Sequence, residues 1–342
     1  MKLSRLFFLV LGLGLLAIVL ARTDLHAVAD YVGKLGWEGA LVIPAVSLLP
    51  FLVDTLSWQA LFNPPRPGWS WFADLWKIRA VGTAISKITP FVGVAGEPVK
   101  ALLLKRIYGL PYREGIASLL VAKTANLIAL VTFLGIGLAL SFGDDRLPQG
   151  YRLAAAVGFA VLSFSIAAFF LVQRLRVSSA LGDWLSRGAL GHRISRALQP
   201  LRELDDRLVL AYTRDGARFA AATFLTFLNW VFGVLELYLI FWFMSHPVPV
   251  ADAIVIAATA ELVRAGIFFI PASIGAEEAA LAVVVTAITG ESGLGIAVSF
   301  VRRYRELLWI GYGVWLTWRM TGRSLTPIGT MLRASEDERL SG

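Results

Sequence analysis

The chain has no cysteine, only three histidines and few charges for its 342 residues. Without thiols there is no disulfide, no thiolate metal site and no thiol nucleophile. His26, His192 and His246 are scattered, so no histidine metal cluster and no Ser–His pair is visible. There is no P-loop and no nucleotide-binding glycine fingerprint. Asp205-Asp206 lacks further acids downstream at prenyltransferase-like spacing. These absences argue against an enzyme and against an ATP-driven pump, and they imply no cofactor and no metal. Charged residues make up 16%, against roughly 25% in soluble domains.

What is abundant is apolar. Hydrophobic residues form 57% of the chain, and the mean hydropathy is +0.69. A soluble core of this length cannot hide that much apolar side chain, because a folded protein must still cover a large wet surface. Lipid is therefore the solvent for most of the chain. Eleven tryptophans suit a protein anchored at two membrane interfaces. The net charge of +8 is expected on the cytoplasmic face, against anionic lipid. Nucleic-acid binding is the weaker reading, because the basic residues are dispersed among apolar stretches.

Six stretches approach or exceed the roughly 20 helical residues that cross a bilayer core: 6–21, 40–62, 115–142, 153–173, 219–244 and 294–318. The first follows Lys2 and Arg5, and Val19-Leu20-Ala21 resembles a signal-peptidase site. An uncleaved first helix is the expectation, with residues 22–38 as a short external loop. Two further apolar regions, 71–108 and 252–288, are interrupted at Thr89-Pro90 through Gly96 and at Ile270-Pro271 through Gly275. Proline removes a helical hydrogen bond and glycine permits a sharp turn. Each region reads as two half-length helices joined by unwound backbone. Lipid cannot satisfy such backbone, so it must face protein or a wet cavity. The expected fold is an all-α polytopic transmembrane bundle: six full spans plus two broken, re-entrant helical hairpins in inverted orientation. Residues 1–323 form a single membrane domain, and 324–342 a short polar cytoplasmic tail.

Charge orients this bundle. Residues 174–218 carry nine arginines against five acids, which marks a cytoplasmic segment. Counting spans both ways then puts both termini in the cytoplasm and the protein in a bacterial-type inner membrane. Within the segment, Ile194, Leu198, Leu201, Leu204 and Leu208 recur at helical steps. An amphipathic helix on the inner leaflet and a helix packed on the bundle are both open.

The two interruptions echo each other. Offset by 181 residues, the segment from Pro90 to Glu97 overlies that from Pro271 to Glu278, with Pro, Ala and Glu coinciding. The first enters from the cytoplasm and the second from outside. That is the arrangement of inverted repeats, whose broken helices meet at a substrate site near mid-membrane.

Three charged constellations accompany the breaks. Gly93, Gly96, Glu97 and Lys100 surround a helix start where dipole and free amides can hold a lipid phosphate; equally, Glu97 is a first-turn acid paired with Lys100. Ser273, Gly275, Glu277 and Glu278 suit a helix cap. Glu261 and Arg264, just upstream, read either as a structural ion pair or as a substrate contact. Arg302, Arg303, Arg305 and Glu306 lie about 12 Å down a helix that starts near Leu294, at 1.5 Å per residue. They must face a cavity, acidic partners or headgroups; an external interfacial turn is the alternative. Lys77 and Arg79 are explained by snorkelling. Asp54 and Glu236 read as hydrogen-bonded structure, whereas Lys87 lies beside the first break and Lys123 about two turns into its span.

At these residues the chain resembles the flippase-like family, the transmembrane region of lysylphosphatidylglycerol synthases and their stand-alone relatives. The resemblance rests on Thr89-Pro90 through Gly96-Glu97-Pro98-Val99-Lys100, on Ile270-Pro271 through Gly275-Ala276-Glu277-Glu278, and on Arg302-Arg303-Tyr304-Arg305. Val94-Ala95 and Ala276 depart from its usual glycines. It implies translocation or presentation of a lipid or a lipid-linked anionic headgroup. Membrane lipids are then the partners, lipid-synthesis enzymes are possible ones, and no lysyl-lipid is made by this chain. Its length and N-terminal pattern are similar to stand-alone members linked to hopanoid pathways. A scaffold recruiting lipid-synthesis subunits through 174–218 and an intramembrane lipid-modifying enzyme using Glu97 or Glu278 as base are the rival readings.

The orientation is testable in this cysteine-free chain. Ser178→Cys and Ser341→Cys should resist an impermeant thiol reagent in intact cells, and Gln149→Cys should react. The reverse pattern overturns the assigned topology.

Overall fold

A computed structural model describes residues 14, 16, 17, 19–21, 23–62, 68–88, 96–174, 215–267 and 274–321. Among them are eleven helices and no strand. We number them α1 (Leu25–Lys34), α2 (Gly36–Val46), α3 (Leu48–Ala60), α4 (Trp69–Ile88), α5 (Gly96–Tyr108), α6 (Tyr112–Phe142), α7 (Gln149–Arg174), α8 (Gly216–Phe243), α9 (Val250–Gly266), α10 (Ala276–Thr289) and α11 (Leu294–Thr321).

Four helical stretches are long and apolar enough to cross a membrane: Gly36–Ala60, Tyr112–Phe142, Gln149–Ala168 and Gly216–Phe243. They coincide with the expected spans at 40–62, 115–142, 153–173 and 219–244. The first of them is two helices, turning at Ser47, whose hydroxyl donates to the Pro44 carbonyl at 2.6 Å. Pro44 has no N–H to give, so the ladder weakens there. The span expected at 294–318 is the continuous helix α11, whose mid-helix charges lower its hydropathy. The protein is a multi-pass membrane protein. Most of the span expected at 6–21, most of 174–218 and the tail 324–342 lie outside the described residues.

One expectation is overturned. Residues 22–38 are not a loop: Asp24 accepts from the His26 and Ala27 amides at 2.9 and 3.3 Å and starts α1, which packs on α11. The N-cap carboxylate satisfies two amides that a helix start leaves orphaned.

Each interrupted region folds as a hairpin-like pair of helices, α4 packed on α5 and α9 on α10. Where α4 starts, Asp74 accepts a hydrogen bond from the Tyr108 hydroxyl at the end of α5, at 2.5 Å. Where α9 starts, Asp252 takes Arg146 Nη2 at 2.7 Å, and Nη1 of the same arginine donates to the Ile288 carbonyl, at the end of α10, at 3.2 Å. Arg146 also holds Asp144, and its hydrogen bond keeps the Asp144 carboxyl below the usual carboxylate range. The arms measure 20, 13, 17 and 14 residues, so α4 is longer than the half-helix expected. The linking residues 89–95 and 268–273 lie outside the described residues.

The 181-residue offset carries through the fold. It takes Trp69 onto Val250, the first residue of α9, and Tyr108 onto Thr289, the last of α10. It takes Tyr112 to within one residue of the start of α11. The packing has the same symmetry. Hairpin α4–α5 packs on α6 and hairpin α9–α10 on α11. Helices α6 and α11 also cross over, α6 onto α9 and α11 onto α4. Such an exchange is what a two-fold relation between halves produces. Two apolar cores result. One is built on α4 and α5 with Leu316 of α11, the other on α9 and α10 with Val301 of α11. The middle of α11 passes between them.

Small residues make these crossings close. A Cβ on Gly313 of α11 would lie 2.5 Å from the Ala80 carbonyl oxygen and from Ala84 Cβ of α4, whereas a Cβ on Gly233 of α8 would meet nothing within 4 Å. Overpacking of this kind costs about 1–3 kcal/mol. Gly313→Leu should therefore lower the unfolding midpoint in detergent by several degrees, while Gly233→Ala leaves it unchanged or raises it. Equal midpoints for the two variants would refute the close crossing.

Candidate functional site

The site grows from a dielectric constraint. An ionised side chain among packed helices in lipid is costly unless it is paired or wet. This sequence puts arginines mid-way along α11 and near the end of α9, so acids must converge on them. Glu277, in the first turn of α10 and only 6% exposed, is the hub. It takes Arg264 at 2.7 Å and Arg302 at 3.0 Å, with Arg303 at 3.9 Å. Glu261 bridges Arg264 and Arg302 at 2.7 and 3.3 Å. Arg303 continues the chain to Glu278 at 2.8 Å and Glu306 at 2.7 Å. Glu306 in turn pairs with Lys87 in the last turn of α4. An unbroken line of alternating charge thus joins the inner end of one hairpin to the inner end of the other.

Local structure supports the second hairpin's share. Gly275 sits at φ +83°, a conformation that side-chain-bearing residues rarely adopt. Its amide donates to Glu278 Oε2 at 2.7 Å, leaving Oε1 for Arg303. Glu278 is therefore both the cap of α10 and an arginine partner. At the first hairpin, the Gly96 amide donates to Ser86 Oγ at 3.0 Å. A Cβ on Gly96 would collide with the Gly82 carbonyl at 2.0 Å, so glycine is required for this approach.

Two more ion pairs flank the line: Asp54 of α3 with Arg79 of α4, and Glu236 of α8 with Arg305 of α11 at 2.5 Å. These acids are repeat counterparts to within one residue, since the offset takes Asp54 to position 235. Between the two pairs lies a cavity of about 190 Å³. Six cations line it (Arg79, Lys87, Arg264, Arg302, Arg303, Arg305) against three acids (Asp54, Glu277, Glu306), with Phe51 and Trp309 as an aromatic wall. These two rings stack at 4.6 Å, and Trp309 Nε1 donates to Ser47 Oγ at 2.8 Å. The lining is electropositive, and its guanidiniums are incompletely used. Arg79 Nε, Arg303 Nη2 and Arg305 Nε are buried and donate no hydrogen bond among the described residues, whereas Arg302 Nη1 lies 3.0 Å from Glu277. Glu236, Glu261 and Glu278 balance this lining from behind, so six cations meet six acids; a cavity lined by so many guanidiniums suits an oxyanion that takes the place of one carboxylate.

The sequence profile of the family described as "Lysylphosphatidylglycerol synthase TM region" matches residues 5–311. The chain belongs to this family. It is thereby a membrane protein of lipid metabolism or transport. No curated protein and no solved structure matches it.

Within this family member, the sequence candidates distribute unevenly. Glu261, Arg264, Glu277, Glu278, Arg302 and Arg303 form one network, and Arg305 faces the same cavity from its pair with Glu236. Glu97 and Lys100 pair at 2.8 Å on α5 but do not line the cavity; Glu97 reaches it only through its field on Arg79. Gly93 and Ser273 lie outside the described residues. No group of three or more potential metal ligands occurs among the described residues. Asp54, Arg79 and Glu236 were underrated by sequence reasoning. Arg79 does not snorkel to an interface, because Asp54 neutralises it inside the bundle. The signal for both acids was there: one carboxylate on the helix before each broken region, at matching repeat positions.

Deleting the hub is the sharpest test of the network. Glu277→Ala leaves three arginines short of a counter-charge, and breaking such a buried pair costs about 3–5 kcal/mol. The unfolding midpoint in detergent should fall steeply for Glu277→Ala and less for Glu277→Gln. An unchanged midpoint in Glu277→Ala would show that the arginines are compensated elsewhere.

Proposed function

We propose that this protein is a lipid flippase or transporter that handles an anionic or lipid-linked headgroup, and that the headgroup phosphate occupies the arginine-lined cavity. One observation carries the reading: six cations and three acids line about 190 Å³, and three of the guanidinium nitrogens lack hydrogen-bond partners among the described residues. Phosphate accepts two parallel N–H bonds from a guanidinium, as a carboxylate does. A headgroup can therefore replace Glu277 or Glu306 at an arginine without leaving any charge bare. Exchange of partners lets an anion bind and leave without a deep trap, which a carrier needs and a storage site does not.

The two-fold packing supports a transport role. In this reading the hairpins α4–α5 and α9–α10 are re-entrant, in inverted orientation, within a bundle of six full spans. Their inner ends then lie near mid-membrane, where inverted-repeat transporters hold substrate and alternate access. The segment 174–218 faces the cytoplasm with both termini, and the membrane is the inner one, because arginine excess marks the cytoplasmic side. No chemical step is assigned to the chain. Arginine and carboxylate here neutralise one another, and neither is free to act as an acid or base.

The test is reconstitution into liposomes with a fluorescent phosphatidylglycerol and, as control, a lipid with an uncharged headgroup. Arg302→Ala and Arg303→Ala should slow transbilayer movement of the anionic lipid about tenfold or more and leave the control lipid alone. Arg303→Lys, which keeps the charge but loses the fork, should fall between. Folding is checked on each variant by its unfolding midpoint. Undiminished movement of the anionic lipid in folded Arg303→Ala rejects the proposal.

A further inference from the structure

The charge balance of the arginine-lined cavity limits what can enter it. Its six cations are met by Asp54, Glu277 and Glu306 in the lining and by Glu236, Glu261 and Glu278 behind it. The linking residues 89–95 and 268–273 contain no charged residue, so the links of both hairpins add nothing to the count. A phosphodiester headgroup carries a single negative charge. In a neutral cavity bounded by lipid that charge has no counterpart, which is costly. The arginine that the headgroup joins is not left bare, but the carboxylate that it displaces is. A positive charge has to enter with the headgroup.

We propose that this charge is a proton taken up by Glu306, so that each anionic headgroup crosses together with a proton and the movement is electroneutral; the assignment rests on the transport function proposed above. The three acids of the lining differ in what their displacement leaves. Glu277 serves Arg264, Arg302 and Arg303. Asp54 pairs with Arg79. Glu306 shares Arg303 with Glu278, and Arg303 keeps Glu278 through Nε at 2.8 Å when Glu306 leaves. Arg303 Nη1 donates to Glu306 Oε2 at 2.7 Å, while Nη2 donates no hydrogen bond among the described residues. A phosphate in the place of the Glu306 carboxylate takes Nη1 and Nη2 together as a fork. The same phosphate meets Lys87 of α4, the other partner of Glu306. The remaining charges of the lining are already matched: Arg264 and Arg302 with Glu261 and Glu277, Arg305 with Glu236, and Arg79 with Asp54. None of these cations is spare for a displaced carboxylate. Protonated, Glu306 loses its charge, and its new O–H donates to the phosphate beside it, a charge-assisted bond. The proton comes from water on the side that supplies the headgroup and is released on the other side with it. No bond other than this O–H is made or broken.

The experiment uses the full chain in liposomes with a fluorescent phosphatidylglycerol, whose distribution between leaflets is read with an impermeant quencher. Under a pH gradient of about one unit and no membrane potential, the lipid should accumulate in the leaflet facing the alkaline side, by up to about tenfold at equilibrium. A potassium diffusion potential without a pH gradient should leave the distribution even. Glu306→Gln keeps the shape of the side chain and cannot take up the proton, so it should lose the pH bias, and Glu306→Asp should retain it. In weak buffer, binding of a short-chain phosphatidylglycerol to the wild type should take up about one proton per lipid, and binding to Glu306→Gln none. Unfolding midpoints check both variants; if Glu306→Gln folds poorly, the wild-type bias and proton uptake decide. Lipid movement that follows the potential or a sodium gradient and ignores pH overturns the coupling and leaves the transport reading intact. A pH bias that survives in folded Glu306→Gln places the proton on another group and overturns the assignment. Absence of any protein-dependent movement of the anionic lipid rejects the transport reading, and the coupling falls with it.

Discussion

Glu277 compensates three arginines from two helices, and the arrangement of the helices around it follows from that need. A guanidinium in a lipid-bounded bundle must find a carboxylate within about 4 Å or remain wet. Arg264 comes from the end of α9, and Arg302 and Arg303 from the middle of α11. The start of α10 is where one carboxylate meets all three, and a helix N-terminus is also where a carboxylate is favoured by the dipole. The positive φ of Gly275 lets the chain turn into α10 with Glu277 and Glu278 side by side at that point.

This constraint explains why the two halves do not separate into independent bundles. Apolar contact in lipid gives little directional preference. The halves meet where α3 packs on α8, α6 on α9 and α11 on α4, and α11 leaves one core at Val301 and enters the other near Leu316. Between those residues it carries Arg302, Arg303 and Arg305, which take acids from other helices: Glu236 of α8, Glu261 of α9, and Glu277 and Glu278 of α10. Glu306 of the same helix takes Lys87 of α4 in return. Around the middle of α11 the meeting of the halves is therefore polar, flanked by apolar packing.

The arginine-lined cavity and an apolar groove between α6, α7, α9 and α10 lie on opposite sides of α9 and α10. Neighbouring residues of α9 and α10 face the two compartments, so the periodicity of a helix, which turns successive side chains by about 100°, suffices to separate them.

The sequence by itself determined the membrane class, four long apolar helices, the division of two apolar regions into α4 and α5 and into α9 and α10, and the 181-residue echo between them. Each is a local matter of hydropathy or backbone chemistry, legible wherever a run of residues has one character. It also picked out Glu261, Arg264, Glu277, Glu278, Arg302 and Arg303, because charge inside apolar sequence is conspicuous by its cost. Partners were another matter. From sequence Arg79 reads as a snorkelling residue, but Asp54 lies beside it, and Glu236 reads as hydrogen-bonded structure with no partner named, which α11 supplies as Arg305 across 69 residues of chain. The α1 helix was hidden because its stability comes from Asp24 capping and from α11, not from a long apolar run. Pairing across helices depends on crossing angle and rotation, and those follow from packing of small residues such as Gly82, Gly96 and Gly313. Only the tertiary structure decides them, because the free energy of a buried charge depends on what stands within a few ångströms of it, whatever the separation along the chain.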